Sequence, residues 1–216
     1  MQTMSIIFCA AGAVVAGGCS ASGTRPSDMS APQHQAAAAQ EDRAAAAAGA
    51  QYDPNACYEA CWTDYSNPTS QYLSQAKRHE EIATQHRAAS QALRDAEARA
   101  CVGVLPRDRD NSPFSHREDI VIARQLQIDD KGPMVGAVVV LRAVRGVTAE
   151  SLQRVVDCHI ARNSAVGNDM PEMAQCPLVT KGVIAKVTAT AEGFAIAIRG
   201  DDAGEVWRRA SSLPQK

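Results

Sequence analysis

Aromatic residues make up only 4% of this 216-residue chain, so its core cannot rest on large rings and must be built from Val, Ile, Leu and Ala. No charge dominates either. A formal net charge of -2 supplies no basic field, and no nucleic-acid partner is expected. Past the N-terminus, no segment is apolar for long enough to cross a bilayer. No Gly-x-Ser-x-Gly elbow presents a serine nucleophile, and no glycine-rich loop is built to cradle phosphate. Catalysis is therefore not expected, and no cofactor is implied. The expected class is α+β: a long Ala-rich helical segment followed by a small sheet-and-helix domain.

The N-terminus supplies what the rest lacks. From Ser5 the chain is apolar and small, ending in Val15-Ala16-Gly17-Gly18-Cys19 before Ser, Gly and Pro take over. The run is too short to span a membrane and ends in residues suited to a processing peptidase, so residues 1–18 read as an export signal. Val15 to Cys19 reads as a lipobox, with Cys19 the lipidated first residue of the mature chain. Such a chain is anchored to a membrane rather than threaded through it. No Lys or Arg precedes Arg25, and Ala16 stands where such motifs usually carry Leu. Cleavage without lipidation and a buried N-terminal helix are the alternatives. Export places the protein in a bacterial envelope, facing the periplasm or the cell surface, with the membrane and an envelope protein as candidate partners.

Export also sets the reading of the cysteines. Of seven, Cys9 leaves with the signal and Cys19 takes lipid. In an oxidising compartment, Cys57, Cys61, Cys101, Cys158 and Cys176 are disulfide candidates first and metal ligands second. A Cys158–Cys176 bond would pin the loop between them, worth roughly 3 kcal/mol. If residues 68–101 form one helix about 50 Å long, neither Cys57 nor Cys61 reaches Cys101. Cys57 would then pair with Cys61, leaving Cys101 odd. Their spacing is not the redox Cys-x-x-Cys. The competing reading is a soft-metal site of copper-like type from His159, Met170, Met173 and Cys176. Adjacent Cys158 and His159 point roughly 100° apart on a helix and do not share an ion. His79 and His86, two turns apart at about 10.5 Å, are too distant to chelate one and read as solvated.

Four stretches follow. Residues 19–52, rich in Ala and Gln, read as a flexible tether, helical part of the time, with His34 solvated. Residues 53–133 read as a helical region. There, Asn67 caps a long helix opened by Pro68, with a thin face of Leu73, Ala76, Ala83, Leu93, Ala96 and Ala100 suited to packing on another helix. A second, short helix is expected from His116 to about Leu126 behind the box Ser115/Glu118. Residues 134–216 read as a β-α-β-β-α sandwich. Its parts are a strand through Ala137–Leu141, a helix capped by Thr148 and carrying Leu152, Val155, Val156, His159 and Ile160, a hairpin turning at Glu192-Gly193, and a last helix capped by Asp201 or Asp202. The exposed long helix is the expected docking surface.

Several phrases occur together: Cys61-Trp62-Thr63 with Asn67-Pro68-Thr69, His86-Arg87-Ala88-Ala89-Ser90, Ser112-Pro113-Phe114, His116-Arg117-Glu118-Asp119-Ile120, Val156-Asp157-Cys158-His159, and Cys176-Pro177-Leu178. The combination resembles a group of uncharacterised envelope lipoproteins of Gram-negative bacteria and covers most of the mature chain. The resemblance implies location and no activity.

Overall fold

The computed structural model describes residues 29–56, 67–129, 131–167 and 173–213. The export segment, Cys19, Cys57, Cys61 and Met170 lie outside them. The chain is α+β, as its composition implied: two long helices precede a four-stranded antiparallel sheet with helices on one face.

The Ala/Gln tract is not a tether where it is described. Helix α1 (Ala31–Gly49) opens on a complete capping box, with Ser30 accepting from the Gln33 amide while the Gln33 side chain accepts from the Ser30 amide, and has Pro32 in its first turn. Helix α2 (Ser70–Ala100) runs unbroken over 31 residues. It starts two residues later than Pro68 suggested, because the Asn67 carboxamide folds back to accept from the Thr69 amide and hydroxyl, making a turn before the helix. The two helices pack antiparallel through heptad positions. Ala31, His34, Ala38, Glu41, Ala45 and Ala48 face Tyr72, Ala76, His79, Ala83, His86, Ser90 and Leu93. Alanine seams let the backbones approach closely. Polar layers then find partners across the seam. His34 Nδ1 lies 2.8 Å from His86 Nδ1, one ring donating and the other accepting. His79 Nδ1 bonds Glu41 Oε2 at 2.6 Å, and Ser90 donates to the Ala31 carbonyl at 3.0 Å. His34 is buried, not solvated, and His79 and His86 are held across the interface.

After a short helix α3 (Pro106–Arg109), the expected helix at 116–126 is absent. Residues Arg117–Asp119 make one 3₁₀ turn, and strand β1 (Ile120–Gln127) follows. Its partner is strand β2 (Met134–Arg142), with Ala123 opposite Val139 and Gln125 opposite Ala137. Helix α4 (Ala149–Val166) carries the Thr148 cap. Strands β3 (Ile184–Thr190) and β4 (Gly193–Arg199) form the expected hairpin, and helix α5 (Ala203–Ser211) is capped by Asp202. The sheet order is β1-β2-β4-β3, so the sheet domain is two ββα units, not β-α-β-β-α, and it begins near residue 119 rather than 134. Each helix crosses to the other unit's hairpin, α4 onto β3 and α5 onto β2 and β1.

Alternate positions of the strands supply the core: Ala137, Val139 and Leu141 stack beside Ile198, Ile196 and Phe194, under Val156 of α4 and Val206 of α5. Gly193 holds a φ of 149°, and a Cβ there would run into the Leu141 carbonyl and the Ala143 amide. Only glycine fits that hairpin corner. α2 joins the sheet domain through α4, by the Cys101–Cys158 disulfide, the Arg162–Glu97 ion pair at 3.1 Å and a small cluster of Ala31, Leu93 and Ala165.

Candidate functional site

Two features stand out chemically, one beneath the helices and one on the opposite face of the sheet.

The first centres on Cys176. The expected Cys158–Cys176 bond does not form. Cys158 pairs with Cys101, their Cα atoms 4.5 Å apart, and Cys176 is a buried free thiol. Cys101 is thus not the odd cysteine. The helix geometry that points Cys158 and His159 apart explains the exchange. Cys158 faces α2, whereas His159 faces the core, where Cys176 lies at the start of the 3₁₀ turn Pro177–Val179. Cys176 Sγ is 3.5 Å from His159 Nε2 and 3.3 Å from Ser112 Oγ. Met173 packs partly buried against the same cluster, and its carbonyl accepts from the Cys176 amide at 2.8 Å. Of the four expected soft ligands, His159 and Cys176 thus meet through their side chains, and Met173 lies on the same cleft wall as Cys176; Met170 lies outside the described residues. Cys176 and Met173 line a cleft of about 670 Å³ that opens beside Ser112, Phe114 and Leu213.

Two guanidinium groups border this cluster. Arg162 of α4 is held by Glu97 and Asp110, and Arg209 donates to the Cys176 carbonyl at 3.5 Å. Arg209 is in turn fixed by Glu205, whose carboxyl is held at about 2 by hydrogen bonds from Arg208 and Arg209. Burial, helped by the Arg162 charge, lowers the His159 imidazole to about 4. Burial also pushes the Cys176 thiol up, against a smaller opposing pull from the Ser112 hydrogen bond. Near neutral pH the pair is therefore a neutral thiol beside a neutral imidazole. A cysteine nucleophile works as the thiolate, so this is not an activated dyad. A neutral imidazole, by contrast, is ready to bind a metal.

An exposed trio, His116, Glu118 and Asp119, brings three ligand atoms within 4.8 Å of one another. His116 lies 3.5 Å from Glu118 and Asp119 lies 3.9 Å from Arg142, so ordinary surface pairing accounts for it.

The second feature is the sheet face turned away from α4 and α5. Cross-strand register sets Ile122, Val140, Ala195 and Thr188 in one row, Arg124, Val138, Ala197 and Lys186 in the next, and Leu126, Gly136, Arg199 and Ile184 in a third. Its centre is small, apolar and little exposed, with Val138 at 8% and Ala195 at 9%. Arg124, Lys186 and Arg199 are exposed, and none of them is ion-paired with a described residue. The three rows contain no acidic residue. Ile122 and Ile184 stand 45% and 64% exposed at the two edges. Sequence reasoning missed this face because β1, which supplies Ile122, Arg124 and Leu126, reads locally as a helix. On α2, the expected docking surface, α1 and α4 cover the buried positions, while Leu73 stays 46% exposed.

Comparison with models of protein families, with curated proteins and with solved structures finds no match to this chain.

Proposed function

We propose that the protein is an exported, lipid-anchored envelope protein whose folded part is an interaction module, docking an acidic protein segment on the open face of its sheet. The observation that carries this reading is that face, a small-residue apolar centre flanked by three exposed cations without an ion pair to a described residue, with no acidic residue in its three rows. Opposite charges around a small-residue centre supply complementarity and some buried apolar area together. The face has no aromatic residue on which bases would stack. Its centre of Ala and Val does not protrude as a membrane-inserting surface does. An acidic polypeptide laid across the strands fits both facts. Among the described residues no helix is long and apolar enough to cross a membrane; attachment in this reading is through acyl chains on Cys19.

A photo-reactive residue placed at Ala197 in living cells tests the docking. The reading expects an adduct with a protein containing an Asp- and Glu-rich segment, absent when the same probe is placed at Arg208 on α5. Combining Arg124→Glu, Lys186→Glu and Arg199→Glu should reduce the adduct by at least about tenfold. Equal labelling from both positions, an adduct with nucleic acid or lipid, or indifference to the charge reversal would overturn it.

A further inference from the structure

We propose that Cys176, His159 and Met173 form a binding site for one soft monovalent metal ion, Cu(I) in class, reached through the cleft beside Ser112. The donor spacing fits a shared ion. With a metal–sulfur bond of about 2.3 Å and a metal–nitrogen bond of about 2.0 Å, an angle of roughly 110° to 120° at the metal separates the two donors by about 3.5 to 3.7 Å. Cys176 Sγ and His159 Nε2 are 3.5 Å apart, so an ion enters with little movement of either side chain. Met173 lies on the same cleft wall, its backbone tied to Cys176. A thiolate, a thioether and an imidazole together select soft or borderline metals over hard ones.

Charge decides the oxidation state. A thiolate with a monovalent ion is neutral overall, which a buried site tolerates. A divalent ion with the same ligands leaves one net positive charge, which a buried site tolerates less well. Binding balances as one metal ion in and one proton out: the Cys176 S–H bond breaks, the sulfur–metal bond forms, and the proton leaves through the cleft. Affinity should therefore rise about tenfold per pH unit while the thiol remains protonated in the metal-free protein.

The site is independent of the sheet's open face, so its failure leaves the docking reading standing, and the converse holds as well. The test uses the full chain with Cys9, Cys19, Cys57 and Cys61 changed to Ser and the Cys101–Cys158 bond intact. It is titrated anaerobically with Cu(I) held in a chromophoric competing chelator. The expected result is one Cu(I) per chain, with near-ultraviolet thiolate-to-metal absorption and X-ray absorption showing both sulfur and imidazole. Cys176→Ser should weaken binding more than about a hundredfold, and Met173→Leu by about tenfold. His159→Gln should remove the imidazole signal, with circular dichroism reporting whether each variant keeps its fold. Should Cys176→Ser fail to fold, Met173→Leu and the absorption spectrum of the parent still decide. No retention against the chelator, unchanged binding in Cys176→Ser or Met173→Leu, or Zn(II) bound as tightly as Cu(I) would each contradict the site.

Discussion

At the scale of single residues, two cysteines and one histidine separate two kinds of stabilisation. Cys101–Cys158 closes 57 residues of sequence, a loop worth about 4 kcal/mol in the chain-entropy description. Cys158→Ser should lower unfolding stability by roughly that much in urea titrations, and a loss under 1 kcal/mol would mean that α2 and α4 hold together without the bond. His159 contributes through burial. Its folded-state value of about 4 lies below its ordinary 6.5, so the unfolded chain takes up a proton first as pH falls. Stability attributable to it is therefore complete above pH 6.5 and declines toward pH 4, by on the order of 3 kcal/mol. His159→Gln should flatten that part of the pH profile; a slope between pH 6.5 and 4 equal to the parent's would remove His159 as its source. Much of this arrangement was within reach of the sequence. The expectation from helix length needs an unbroken α2, and α2 is unbroken; its conclusion that Cys101 is odd fails because Cys158 is the partner, and Cys57 and Cys61 lie outside the described residues. The angle between Cys158 and His159 also contained the answer to the pairing, because Cys176 follows the histidine's side of α4 and Cys101 the other. Which loop folds back to meet His159 is tertiary information that no local pattern carries.

At the scale of elements, local and long-range signals part company. The hairpin β3–β4, the Thr148 and Asp202 caps and the thin apolar face of α2 are legible because capping, alternation and helical periodicity are local chemistry. β1 was not legible. Ser115 and Glu118 mimic a helix start, and it is pairing with β2 that fixes Ile120, Val121 and Ile122 as strand. α1 was underestimated because its weak amphipathicity suggests a solvated tract, whereas its heptad alanines meet those of α2. The matched spacing of seven between His34 and Glu41, and between His79 and His86, was the available clue. Close packing of small residues has a direct consequence. Ala83 is fully buried in that seam, so Ala83→Leu should force the helices apart and cost roughly 1–3 kcal/mol. Limited proteolysis should then cleave α1 ahead of the sheet domain; equal protection of α1 in variant and parent would show that the seam has room to spare.

At the scale of the whole molecule, the two faces of the sheet differ in what covers them. Helices α4 and α5 cover one face of the sheet and bury its apolar positions, with α1 and α2 packed against α4, while the opposite face carries Arg124, Lys186 and Arg199 exposed and without an ion pair to a described residue. On α2, Ala76, Ala83 and Leu93 of the apolar stripe are buried, whereas Leu73 at its start is 46% exposed. A module of this kind works at an envelope surface if its N-terminus is held there. Two or more acyl chains on Cys19 would make a stable anchor; among the described residues no helix is long and apolar enough to cross a membrane. The most direct measurement of the account is membrane fractionation of the full chain and its Cys19→Ser variant, expressed in a Gram-negative host. The parent should sediment with membranes and resist high salt and carbonate, and the variant should move to the soluble fraction while keeping the Cys101–Cys158 bond. A Cys19→Ser protein that remains in the membrane fraction, or a parent found soluble in the cytoplasm with Cys101 and Cys158 reduced, would contradict it.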